Sequence, residues 1–152
     1  MKGAGKESCR FFFSHGDRIH SLQFQFVKNG TLVLSDKYGC TSAPKFNSVE
    51  LNYPSELITG ISGYCGNRDA VRCQFVTSIS FITNKATYGP FGYPAQGDNA
   101  FDFQIGRHNK FCGFHGTSNV YLYSIGLYMK PMTTLCNVNI LQEKGNVKNE
   151  KV

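Results

Sequence analysis

The stretch from Ile19 to Leu34 restricts the fold more than any other. Leu22, Phe24 and Phe26 alternate with Ser21, Gln23 and Gln25, the period of a half-buried strand whose side chains point to opposite faces in turn. Lys28-Asn29-Gly30 interrupts the run, and β character resumes over Thr31 to Leu34. Asn-Gly between two such runs signals a tight hairpin, because both residues accept the positive φ that the turn requires. The same pattern recurs along the chain. Arg10 to Ser14, Ser48 to Leu51, Leu57 to Ser62, Cys73 to Thr83, Lys110 to Phe114 and Tyr121 to Met129 read as strands. Phe75, Ile79 and Phe81 share one face, and Phe101, Phe103 and Ile105 alternate with Asp102 and Gln104. Tyr38 to Asn47, Gly63 to Arg72 and Tyr93 to Asn99 read as loops. No segment has the period and length of an amphipathic helix. The chain is therefore expected to be all-β, and periodicity leaves sandwich, barrel and prism equally open.

With 152 residues the chain suffices for one domain with a real core. Thirteen Phe and eight Tyr exclude a disordered chain, and no apolar run reaches membrane-spanning length. The net charge of +6 is spread over scattered residues rather than gathered on one face, so it argues for solubility and against a nucleic-acid site. The first nine residues lack the apolar core of a signal peptide, which sets the expectation of a cytoplasmic or nucleocytoplasmic protein with reduced cysteines. Cys9, Cys40, Cys65, Cys73, Cys112 and Cys136 show no C-x-x-C spacing, so neither a metal nor any other cofactor is expected. Cys65 and Cys73 flank a short polar loop across which they could face each other, but small buried or half-buried thiols are the simpler reading. Asn29-Gly30-Thr31 fits a glycosylation sequon but is more simply a turn. His15, His20, His108 and His115 are separated, no nucleophile motif surrounds a Ser or Cys, and no carboxylate pair stands out, so an enzyme is not expected.

Three stretches carry a family resemblance. Gly113-Phe114-His115-Gly116-Thr117-Ser118-Asn119-Val120-Tyr121-Leu122-Tyr123-Ser124-Ile125-Gly126-Leu127-Tyr128 resembles the signature G-F-H-G-[RK]-S-G-x-x-L-D-A-I-G-[VL]-Y of the jacalin-related lectins. Leu51-Asn52-Tyr53-Pro54-Ser55-Glu56-Leu57-Ile58-Thr59-Gly60-Ile61-Ser62-Gly63-Tyr64 is similar to that family's L-D-Y-P-S-E-[YL]-[IL]-T-G-[VI]-S-G-Y. Thr83-Asn84-Lys85-Ala86-Thr87-Tyr88-Gly89-Pro90-Phe91-Gly92 is similar to its T-N-K-x-T-Y-G-P-F-G. The resemblance implies a β-prism of three four-stranded Greek-key sheets, a plant source, recognition of mannose- or glucose-type glycans on oligosaccharides or glycoproteins, and frequent homo-oligomers. It implies neither a membrane nor a nucleic-acid partner.

The resemblance also places a sugar site. In sugar-binding relatives a G-x-x-x-D loop supplies a carboxylate that accepts from two sugar hydroxyls, with donors from the backbone before it. Here the Gly falls on Asn119, the intervening backbone on Val120, Tyr121 and Leu122, and the Asp on Tyr123. A phenol cannot accept two hydroxyls as a carboxylate does. Tyr123 is left either to stack on a sugar face or to sit as a rim aromatic in a pocket that has lost its ligand. A second wall is expected from the loop holding Asn67, Arg68 and Asp69. The family's opening strand and G-P-W-G-G-x-G-G loop have no counterpart before Arg10, so one sheet is expected to be short of a strand. The domain is expected over residues 1–131, with 132–152 a partly disordered extension in which Leu135 to Leu141 could cover that open edge. Two functions follow: a lectin with a degenerate sugar site, or a lectin-like scaffold acting through protein contacts.

Overall fold

The structure is a computed structural model and describes residues 8–28, 30–40, 42–67 and 74–132. All of its regular structure is β. Eleven strands follow in order: β1 (Ser8–His15), β2 (Ile19–Lys28), β3 (Thr31–Leu34), β4 (Tyr38–Gly39), β5 (Lys45–Asn52), β6 (Ile58–Asn67), β7 (Gln74–Thr83), β8 (Thr87–Gly92), β9 (Asn99–Gln104), β10 (Asn109–Ser118) and β11 (Leu122–Pro131). They form three antiparallel sheets. Sheet A runs β3-β2-β1-β5 with β4 also on β2; sheet B runs β8-β7-β6-β9; sheet C pairs β10 with β11. Among the described residues the sheets thus hold five, four and two strands, where the resemblance implies four each. The thin sheet is C, and the expected lack of an opening strand concerns residues 1–7, outside the described ones. The Leu135 to Leu141 segment also lies outside them.

The sheets meet on phenylalanines spaced for the strand period. Phe11 and Phe13 of β1 and Phe24 of β2 come from sheet A, Phe81 from sheet B and Phe114 from sheet C, each at most 4% exposed. Phe11 stacks on Phe81 at 5.3 Å and meets Phe114 edge-on at 5.7 Å, while Phe24 stacks on Phe114 at 4.8 Å. One aromatic cluster therefore joins all three sheets along the axis of the prism. Each such ring contributes about 1.5–3 kcal/mol by burial. The polar links are equally specific. His15 Nε2 bonds Asn47 Oδ1 at 2.7 Å, and its Nδ1 accepts from Gly92 N at 3.2 Å, so the proton sits on Nε2 and the ring ties sheet A to β8. Ser21, expected to face solvent, is buried instead because its hydroxyl pairs with that of Ser14 at 2.6 Å.

The structure corrects several sequence-based boundaries. β6 continues through Gly63 to Asn67, a stretch read as loop because of its glycines. Those glycines mark close approach rather than a turn. A Cβ on Gly63 would run into the Ser78 carbonyl and come 2.7 Å from the Phe101 ring, and one on Gly66 would strike the Asp98 carboxylate. β5 begins at Lys45, and Tyr38–Gly39 pairs with β2, so much of the supposed loop from Tyr38 to Asn47 is strand. Ile105 is buried as its alternation suggests, whereas Phe103 is 44% exposed and stacks on Phe101. Cys112 is disulfide-bonded, against the expectation of reduced thiols. That expectation came from compartment alone, which does not say which thiols the fold brings together. Cys65 is a half-buried free thiol, its pKa raised by burial and by the Asp98 charge; Cys73 lies outside the described residues.

Two of the three signature stretches form a clasp between sheets A and B. Glu56 is buried, and its Oε1 accepts from Thr83 Oγ1 at 2.8 Å and from Tyr88 OH at 2.7 Å. Its Oε2 takes the Asn52 N–H at 3.3 Å. Asn84 Oδ1 accepts from Leu57 N at 2.9 Å, Asn84 Nδ2 donates to Ser55 O at 3.1 Å, and Lys85 Nζ reaches Ser55 Oγ at 3.0 Å. Burial alone would raise the Glu56 carboxyl. The bonds from Tyr88, Thr83 and Asn52 and the Lys85 charge outweigh it and hold the pKa below the ordinary value.

Candidate functional site

The loop predicted to carry the site joins β10 to β11 over Asn119, Val120 and Tyr121, with Ser118 opposite Leu122. Its shape is fixed from three sides. Asn119 N–H donates to Tyr121 O at 3.1 Å, and Val120 O accepts from Cys40 N at 3.1 Å. At its base the Thr117 and Ser124 hydroxyls pair at 2.8 Å, and Thr117 N–H donates to the same Ser124 oxygen at 3.1 Å. Asn119 and Val120 are exposed, Tyr121 and Tyr123 half-buried, and Leu122 turns into the core. The five predicted residues are contiguous on one rim, yet Leu122 can offer a ligand only its backbone.

The two tyrosines are engaged with other elements. Tyr121 meets Phe75 edge-on at 5.5 Å and His20 edge-on at 5.0 Å, and Tyr123 lies 5.5 Å from Phe75. Arg18, in the β1–β2 turn, packs its guanidinium against the same rings: Cζ is 4.7 Å from the centre of Phe75 and 4.6 Å from that of Tyr121. Such contacts suit a planar, weakly hydrated cation. Among the described residues Arg18 Nη2 meets Asp17 Oδ2 at 3.4 Å, and the buried Nε has no hydrogen-bond acceptor. Beneath the loop a shallow groove opens between sheets A and C, lined by Leu22, Tyr38, Thr117, Ser118, Leu122 and Ser124 among others. A larger apolar pocket, about 100 Å³, lies by the Glu56 clasp and contains none of the predicted residues.

The second predicted wall is brought only partly into view. Asn67 closes β6 opposite Gln74 at the end of the strand pair that carries Phe75, and Arg68 and Asp69 lie outside the described residues. Sequence reasoning missed Arg18, His20 and Phe75. Nothing local marks them: Arg18 reads as one residue of a Gly-Asp-Arg turn and joins the loop only because sheets A and B both deliver strand ends there. Among the described residues no group of three or more His, Cys, Asp or Glu side chains is placed to hold a metal.

His115, within the Gly113-Phe114-His115-Gly116 stretch, makes its contacts across the β10–β11 pair. Its ring lies over Gly126 on the paired strand, 4.9 Å from the Tyr128 ring. A Cβ on Gly126 would come within 2.5 Å of His115 Cε1. Burial lowers the His115 pKa.

Comparison with known proteins accords with this geometry. Residues 5–128 match the jacalin-like lectin domain. The chain is 44% identical over 132 residues to "Inactive protein RESTRICTED TEV MOVEMENT 1" of Arabidopsis thaliana, covering 86% of this chain and 75% of that protein. It is 37% identical over 130 residues to Jacalin-related lectin 2 of the same plant, covering 80% and 71%. Among solved structures it superposes on AcmJRL, a mannose-binding jacalin-related lectin from Ananas comosus, with a TM-score of 0.70 at 26% identity, covering 86% and 87% of the two chains. With the signature loop on a three-sheet all-β frame and the domain matched over most of its length, the chain belongs to the jacalin-like lectin family.

Proposed function

We propose that the protein is a non-enzymatic carbohydrate-binding lectin that engages glycans at the rim formed by Asn119, Val120, Tyr121, Leu122 and Tyr123, through a site degenerate by the standard of its sugar-binding relatives. The observation that carries this reading is the position of the β10–β11 loop: it stands at the end of the prism on a hydrogen-bonded base, flanked by aromatic rings. Aromatic faces suit the apolar C–H faces of sugars, and polar ligands commonly dock at exposed loops on a rigid scaffold. What the rim lacks is a carboxylate at position 123, so affinity for a neutral monosaccharide should be weak.

A second reading, a scaffold that acts through protein contacts, is favoured by the packing of both tyrosines against Phe75. A glycan array on the purified, folded protein separates the two. Binding that is competed by free saccharide and weakened by Tyr121→Ala supports the lectin. A blank array from a sample with native circular dichroism overturns it in favour of the scaffold.

A further inference from the structure

We propose that the rim selects an acidic saccharide, one bearing a uronate carboxylate or a sulfate ester, and that Arg18 is the residue that reads the charge. The inference rests on the reading of the loop as a glycan site and names its ligand class. The family signature puts an anion at position 123, suited to hydroxyl donors; here that position is a phenol, and a guanidinium stands against the neighbouring ring. The polarity of the site is thereby inverted. A guanidinium has donors only, so a sugar hydroxyl matches it poorly and an acceptor-only oxyanion matches it best.

The environment strengthens that preference. Phe75 and Tyr121 shield the cation on their side, and its side chain keeps only 16% exposure. Charge-assisted bonds gain strength where water is partly excluded. Its present partner is poor: Asp17 is 55% exposed and stands at 3.4 Å, a length at which a charge-assisted bond is far from optimal. Among the described residues Nε–H has no acceptor, a condition that costs stability in a buried group. A carboxylate or sulfate displacing Asp17 would take Nη2 at a shorter distance and, with a small rotation of the guanidinium, take Nε as the second arm of a fork. The sugar ring that carries the anion would then lie beside Tyr121 and Tyr123. The chain's excess of sixteen Lys and Arg over ten Asp and Glu favours approach of such a ligand without specifying where it binds.

The test is titration calorimetry with three saccharides of equal length: a uronic-acid trisaccharide, a sulfated galactose trisaccharide and neutral mannotriose, at low and physiological salt. At least one acidic trisaccharide is expected to bind roughly tenfold to a hundredfold more tightly than mannotriose. The uronate and sulfate arms show which oxyanion is preferred. Arg18→Gln should bring acidic binding down to the neutral level, and Arg18→Lys, which keeps charge but loses the fork, should lose most of the preference. In the unmodified protein the ¹⁵N-edited Arg18 Nε–H resonance should shift on adding the acidic ligand, a readout that does not depend on the variants folding. Acidic binding undiminished in both variants, with the Nε–H resonance unmoved, would assign it to general surface charge and overturn the proposal. Mannotriose binding as tightly as both acids would overturn it and leave the glycan reading standing. Failure of all three saccharides to bind would overturn both.

Discussion

Replacing Glu56 with Gln tests whether the signature stretches hold the fold together. The carboxylate accepts two side-chain bonds on Oε1, from Thr83 and Tyr88, and the Asn52 N–H on Oε2. A bond to a charged group contributes about 1.5–3 kcal/mol and a neutral one about 0.5–1.5 kcal/mol. Gln keeps an acceptor for Thr83 and Tyr88, so each of these weakens by about 1–1.5 kcal/mol. The amide NH₂ then faces the Asn52 N–H, donor to donor, adding about 1 kcal/mol. The sum is a loss of about 3–4 kcal/mol, or a fall in Tm of roughly 6–16 °C for a domain of this size. The chain has no Trp, so urea unfolding is best followed by circular dichroism. The sign with pH is also set. A carboxyl held below its unfolded value of about 4.3 stabilises the fold above that pH, and the contribution is lost as pH falls through the lowered folded value. The gap between wild type and Glu56→Gln should therefore be full at pH 7 and shrink progressively below pH ~4. A variant within about 0.5 kcal/mol of wild type at pH 7 would refute the reasoning, since that is the usual range for a surface substitution. A gap unchanged in acid would refute the charge argument.

Other outcomes follow from the same structure. Phe114→Ala, which empties the point where the three sheets meet, should cost about 3–5 kcal/mol in urea unfolding. Gly126→Ala pushes a methyl into the His115 ring and should cost about 1–3 kcal/mol, with part recovered in the Gly126→Ala/His115→Ala double variant. Tyr123→Asp restores the carboxylate at the rim; calorimetry should show a gain of roughly tenfold or more for mannosides together with weaker binding of acidic saccharides.

Much of the architecture is legible in the sequence because the alternation at Leu22, Phe24 and Phe26 and the turn at Asn29-Gly30 are local signals, and β2 pairs with β3 with Lys28 opposite Thr31. The extent of β6 was not legible. A glycine demanded by a neighbour's carbonyl, as at Gly63, cannot be told within one strand from a glycine demanded by a turn. The site was legible by half. Tyr123 declares its departure in the signature itself, whereas Arg18 and Phe75 lie 57 residues apart and are joined only by packing between sheets.

The clasp and the rim sit at opposite ends of β7. Phe75, second residue of the strand, lies under the tyrosines, and Thr83 closes it against Glu56. Eight residues of extended chain separate them by about 26 Å, far beyond the range at which substitutions couple energetically. Exchanging a residue on the rim therefore leaves the clasp and its share of the stability untouched. A frame of this kind can change its ligand, or abandon one, while the two clasp stretches that mark its ancestry stay intact, so kinship speaks here for shape before cargo.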